Sequence, residues 1–82
     1  MNKNQSLDLF EITDIGVASY LECIGIKIFD IKPLSPTRSA FLFENNQKLK
    51  DSIRQYYLNE AKVSPLDFFN NVRKIKVMTK NV

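Results

Sequence analysis

The stretch "IKIFDIKPLSPTRSAFLFE", Ile26 to Glu44, decides the fold. Its first part, Ile26–Lys32, is rich in β-branched and aromatic residues and roughly alternates, which predicts a strand. Ile26 and Ile28 share one face of it, and Phe29 and Ile31 share the other. Apolar groups on both faces predict a bulge or two-sided burial. Pro33 and Pro36 cannot donate to a central ladder, so residues 33–37 read as a connection of hairpin length. Arg38–Glu44 is then the returning strand, with Ser39, Phe41 and Phe43 on one face and Ala40, Leu42 and Glu44 on the other.

On the N-terminal side of this hairpin, Gly25 stands where a helix needs a left-handed terminator. The helix it ends starts at a cap on Thr13 or Asp14 and runs through Cys23 or Ile24. Ile15, Ala18, Leu21 and Ile24 form its apolar stripe, with Ser19 and Glu22 off it. Gly16 inside the helix costs about 1 kcal/mol against alanine, which predicts either fraying or a close contact there. Leu7–Ile12 alternates loosely and offers a third strand, and residues 1–6 form a polar tail. On the C-terminal side, Asn45 or Asn46 caps a helix from Gln47 to about Leu58, in which Leu49, Ile53, Tyr56 and Tyr57 follow the 3–4 spacing. "NEAKV" breaks that pattern, and Ser64-Pro65-Leu66-Asp67 restarts it with a cap, a first-turn proline and a capping-box acid. The last helix runs to about Thr79. Phe68, Val72, Ile75 and Thr79 form its buried stripe, with Phe69 at the edge. The expectation is a single α+β domain over residues 1–82. It is an antiparallel β-hairpin, three-stranded if the N-terminal segment joins, packed on one face by three helices.

Three segments, "DIGVASYLECIGIKIFDIK", "SAFLFE" and "IRQYYLNEAKVSPLDFFNNVRKIK", resemble a small uncharacterised family of bacterial and phage proteins. In that family an aspartate-led helix ends in a "YL…G" pattern. A hairpin with a phenylalanine-rich second strand, a helix ending in "YY" and a basic last helix follow. The resemblance covers about residues 13–76. It implies the fold and a bacterial or phage setting, and no catalytic residues. The proline-containing hairpin connection departs from the pattern.

Eighty-two residues support one small core with a stability of a few kcal/mol unless the chain associates. A hydrophobic fraction of 44% and a charged fraction of 26% are those of an ordinary folded domain, which excludes disorder of the whole chain. The one cysteine, Cys23, cannot close an internal disulfide, so a reducing, cytoplasmic compartment is expected. Asn4-Gln5-Ser6 fits a glycosylation sequon by chance, with no signal peptide before it. Apolar runs fall far short of the ~20 residues that span a bilayer. The net charge of +3 is unevenly spread: residues 1–30 hold five acids against two lysines, and residues 31–82 hold ten bases against four acids. Such a polarised chain can steer partners or meet its own copy head to tail.

The chain has no histidine, which removes the commonest general base and the Ser–His and Cys–His nucleophile pairs. Cys23 near a helix C-terminus is disfavoured as a thiolate and reads as structural. A single soft ligand cannot hold zinc, and no glycine-rich phosphate loop is present. Asp8, Glu11 and Asp14, three apart, would share a face if helical and hold a divalent cation; a solvated acidic edge is the plainer reading. No catalytic, cofactor-binding or metal-binding residues are therefore assigned.

Two surfaces remain. Adjacent Tyr56 and Tyr57 point about 100° apart on a helix, so one faces the core and the other an edge suited to an interface. Tyr57 and Phe69 are the interaction candidates. In "LDFFNNVRKIKVMTK", Leu66 to Lys80, Arg73, Lys76 and Lys80 line up with Phe69, and Lys74 points away. The cations either snorkel over the core edge or form a contact surface for nucleic acid or an acidic protein, with phosphate binding weak and salt-sensitive. Phe41 and Phe43 read as core rather than as base-stacking groups. The leading expectation is a non-catalytic, self-associating protein-interaction module, a homo-oligomer or a binder of another protein, with no membrane and no small-molecule substrate. The alternative is a weak nucleic-acid binder using Arg73, Lys76 and Lys80.

Overall fold

The computed structural model describes residues 8–80. The polar tail and the sequon lie outside that range. The elements run β1 (Leu9–Ile12), α1 (Ile15–Cys23), β2 (Asp30–Ser35), β3 (Arg38–Glu44), α2 (Gln47–Tyr57) and α3 (Pro65–Lys80). The sheet is antiparallel in the order β1-β3-β2, so the phenylalanine-rich strand is central and the N-terminal segment does supply a third strand. The fold is α+β, as the patterning predicts.

The hairpin departs from expectation at its first strand, which starts and ends later than Ile26–Lys32. Two N–H groups near its expected start are already taken. Ile26 N–H donates to the Leu21 carbonyl at 2.9 Å, closing the end of α1. Ile28 N–H donates to the Glu22 carboxylate at 2.8 Å. The ladder begins only where Phe29 N–H reaches the Leu42 carbonyl at 2.7 Å. At the other end Pro33 lies inside β2, opposite Ser39. It is tolerated because β2 is an edge strand, where a missing N–H breaks no second ladder. The connection is therefore only Pro36-Thr37, between the paired Ser35 and Arg38. Neither residue has a positive φ. An unprimed two-residue turn fits the strand twist poorly, and a register shift between Pro33 and Ser35 accompanies it.

Helix ends follow the sequence closely. The Asp14 carboxylate caps α1, accepting from Gly16 N–H at 2.7 Å. Gly25, at φ +89, completes a Schellman closure: its N–H donates to Glu22 while that of Ile26 donates to Leu21. The same geometry ends α2 with Asn59 at φ 62, its N–H donating to Tyr56 and that of Glu60 to Gln55. Asn46 caps α2 through Leu49 N–H at 2.9 Å. Ser64 accepts from Asp67 N–H at 3.4 Å ahead of Pro65.

The core gathers Val17, Tyr20 and Leu21 of α1 with Ile12, Phe41 and Phe43 of the sheet, Leu49 of α2 and Ile75 of α3. Phe41 and Phe43 are buried and unavailable for stacking on bases. The main revision concerns α1. It packs against α2, α3 and β1, and every residue from Val17 to Glu22 is buried, including Ser19 and Glu22. A helix enclosed on all sides carries no polar face. Gly16 marks a close approach: a Cβ there would lie 2.5 Å from the Tyr56 hydroxyl.

Candidate functional site

α3 rests on α1 through Ile75, with Phe68, Val72 and Thr79 half-buried beside it. Its opposite face carries Leu66, Phe69, Arg73 and Val77 at spacings of three and four, so they form one line. Leu66 is 68% exposed, Phe69 61% and Val77 57%. The Arg73 guanidinium lies 5.9 Å from the centre of the Phe69 ring, close enough for a cation–π contact. Leu66 and Val77 belong with Phe69, and the helical spacing that joined Phe69 to Arg73 marks them as well.

The three predicted cations divide. Lys76 and Lys80 line a cleft of about 790 Å³ between the end of α3 and the hairpin, and Arg73 is not among its lining residues. Arg38 joins them from β3, with the hydroxyls of Ser35 and Thr37 nearby. Among the described residues no acid lines this cleft. No pattern in the sequence pairs Arg38 with α3; the fold alone brings it there.

Tyr57 is 66% exposed, and its ring meets Tyr56 edge-on at 5.4 Å. Tyr56 also stacks at a tilt on Tyr20, at 5.8 Å. Burial pushes the Tyr56 phenol up, helped by the Asp14 carboxylate and by Tyr57, so it stays protonated. Tyr57 and Phe69 stand on different helices, each with its own neighbours.

The sheet face turned away from the helices is the second open surface. Register places Glu11, Leu42 and Asp30 side by side across it, Leu9 beside Glu44, and Lys32 beside Ala40. Leu9 and Leu42 are half-buried and lie outside the core cluster. Glu11 pairs with Lys32 at 3.2 Å, while Asp30 and Glu44 are exposed. Alternation adds Arg38 at the end of β3, so the face carries three acids and two bases around a small apolar centre of Leu9, Leu42 and the buried Ala40.

The acidic trio does not assemble. Asp14 is a helix cap, Glu11 is on the sheet face, and Asp8 accepts from the Asn45 amide at 3.1 Å. Among the described residues no group of three potential ligands lies close enough to hold a metal ion. Cys23 is half-buried and accepts from the Asn71 amide at 3.3 Å.

Glu22 is the ionic group that sequence reading missed. Its side chain is 5% exposed and lies 3.0 Å from the Lys74 ammonium and 3.6 Å from that of Lys27. Burial raises its pKa, but the Ile28 N–H, Lys74 and Lys27 outweigh it and hold the carboxyl below the ordinary 4.5. Lys74 does point away from the basic line, toward this partner.

Among the described residues no helix is long and apolar enough to cross a membrane. No curated protein matches the chain, and no solved structure does. Over residues 7–81 it matches the family described as a domain of unknown function, DUF5659. The half-exposed α3 stripe, the acidic sheet face and the buried Glu22 hub are therefore features of a chain that belongs to the DUF5659 family.

Proposed function

We propose that this chain is a non-catalytic protein-interaction module that associates with copies of itself, in the cytoplasm of a bacterium or of a phage-infected cell. The observation that carries this reading is the outward line of α3. Leu66, Phe69 and Val77 leave more than half of each side chain in water, on the longest helix of a small domain. Aromatic and arginine anchors on one helix face suit a protein interface. Tyr57 and Leu58 at the end of α2 add a second exposed apolar pair. The single half-buried cysteine and the lack of histidine support a structural role in a reducing compartment. Light scattering across micromolar concentrations tests the reading. The wild type forms oligomers, and Phe69→Lys shifts it toward monomer with unchanged circular dichroism. A monomer at every concentration refutes self-association.

One observation favours a second reading, weak nucleic-acid binding. Arg38 joins Lys76 and Lys80 around an acid-free cleft, so the cations that could meet phosphates are these three rather than Arg73, Lys76 and Lys80. Three phosphate contacts give a slope of log K against log salt of about −2 to −3. Lys76→Glu weakens all sequences alike, because phosphate contacts position without reading bases. Fluorescence anisotropy that finds no binding at low salt, or binding unchanged by Lys76→Glu, ends this reading.

A further inference from the structure

We infer that the surface receiving the α3 stripe is the acidic outer face of the sheet on a second copy of the chain, so that copies join head to tail. The inference rests on the self-association reading and specifies its geometry.

The first argument is charge. In an antiparallel pairing of α3 with its own copy centred on Arg73, helical spacing sets Phe69 against Val77, Leu66 against Lys80 and Arg73 against Arg73. The stripe carries no acid, so that isologous contact brings like charges together as it excludes water. Like charges facing each other across an interface are strongly unfavourable. The outer sheet face has the opposite sign. Glu11, Asp30 and Glu44 surround Leu42 and Leu9, with Lys32, already paired with Glu11, and Arg38, at the far end of β3, the cations that register and alternation place on that face.

The second argument is shape and chemistry. The sixteen residues of α3 extend about 24 Å at ~1.5 Å per residue. The seven of β3 extend about 23 Å at ~3.3 Å per residue. A helix laid along the central strand finds a platform of its own length. Leu66, Phe69 and Val77 would cover Leu9 and Leu42, which lie half-buried beside the buried Ala40 on the sheet face outside the core cluster. Arg73 and Lys80 would meet the carboxylates flanking them.

The third argument is position. The stripe lies on the helical side of the molecule and its receptor on the other side of the sheet, so one copy offers both halves of the contact at different places. Such heterologous contacts propagate into rings or filaments.

Two variants test this. Phe69→Glu/Arg73→Glu spoils the stripe and leaves the sheet face intact. Asp30→Lys/Glu44→Lys spoils the face and leaves the stripe intact. All four positions are exposed, and circular dichroism checks that both variants fold; Phe69→Ser and Asp30→Asn/Glu44→Gln replace any that does not. By analytical ultracentrifugation at matched concentrations, the wild type should exceed dimer size as concentration rises. Each variant alone should be monomeric. Their mixture should give one-to-one heterodimers and nothing larger, because a single competent stripe meets a single competent face. If the sheet-face variant alone associates as well as the wild type, the contact is not head to tail onto the sheet, and self-association survives by another route. A mixture that stays monomeric also overturns the inference. A wild type that is itself monomeric refutes the self-association reading along with it.

Discussion

Replacing Glu22 with alanine should cost about 3 kcal/mol. The carboxylate accepts from Ile28 N–H at 2.8 Å and from Lys74 at 3.0 Å, with its side chain 5% exposed. Its removal orphans the Ile28 N–H, which costs about 1–3 kcal/mol when the group is away from water. The lost γ-methylene adds roughly 1 kcal/mol. Lys74 contributes less, because its side chain is 49% exposed and the ammonium returns to water once its partner is gone. An ion pair discounted for that screening is worth at most about 1 kcal/mol. A domain of this size has about 4–12 kcal/mol in total, so Glu22 holds a large share. In urea, with a slope near 1 kcal/mol per molar for a small domain, the midpoint should fall by about 3 M. The control is Lys74→Met, which keeps the Ile28 hydrogen bond and should cost about 1 kcal/mol or less. If Glu22→Ala costs under about 1 kcal/mol, or no more than Lys74→Met, the Ile28 bond does not anchor this loop and the argument fails.

Three further outcomes follow from the same geometry. Because the folded pKa of Glu22 lies below its ordinary 4.5, its contribution is complete above that value and lost as pH falls through the folded pKa; acid titration of urea midpoints should show this loss in the wild type and not in Glu22→Gln. Gly25→Ala places a side chain at φ +89 in otherwise open space, so thermal unfolding should show a loss of about 1–2 kcal/mol from backbone strain alone. Gly16→Ala should destabilise the wild type but be tolerated in a Tyr56→Phe background, because the phenolic oxygen is the atom a new Cβ would meet at 2.5 Å; equal effects in both backgrounds would refute that contact.

The parts of this fold legible in sequence are those decided within a few residues. Gly25, Asn46 and Ser64-Pro65 mark helix ends because capping is a matter of local φ and short reach. Phe41 and Phe43 mark the core face because strand alternation is local as well. What escaped is what distant partners settle. The start of β2 depends on a side chain from α1 that takes the Ile28 N–H. Lys74 finds Glu22 across 52 positions. Pro33 sits in a strand because β2 happens to be an edge, a fact of sheet order and not of the proline. The surfaces divide in the same way: the line from Leu66 to Val77 follows from helical period, whereas Arg38 shares a cleft with Lys76 and Lys80 only because the fold sets the hairpin across from the end of α3.

The burial of Glu22 bears on the open surfaces as well. Glu22 counts toward the acidic first part of the chain, yet its charge is spent internally on Lys74 and Lys27. That pairing also withdraws two bases from the solvent balance. Asp14 is committed to its helix and Glu11 to Lys32. On the two open surfaces the exposed charges outside those pairings are Asp30 and Glu44, with Arg38, on the sheet, and Arg73, Lys76 and Lys80 on the last helix. Those two groups face away from each other across one small core. No rearrangement within a single chain brings them together while the sheet lies between them. A second copy does so without disturbing any buried contact, and that is the physical reason to look for association before any other partner.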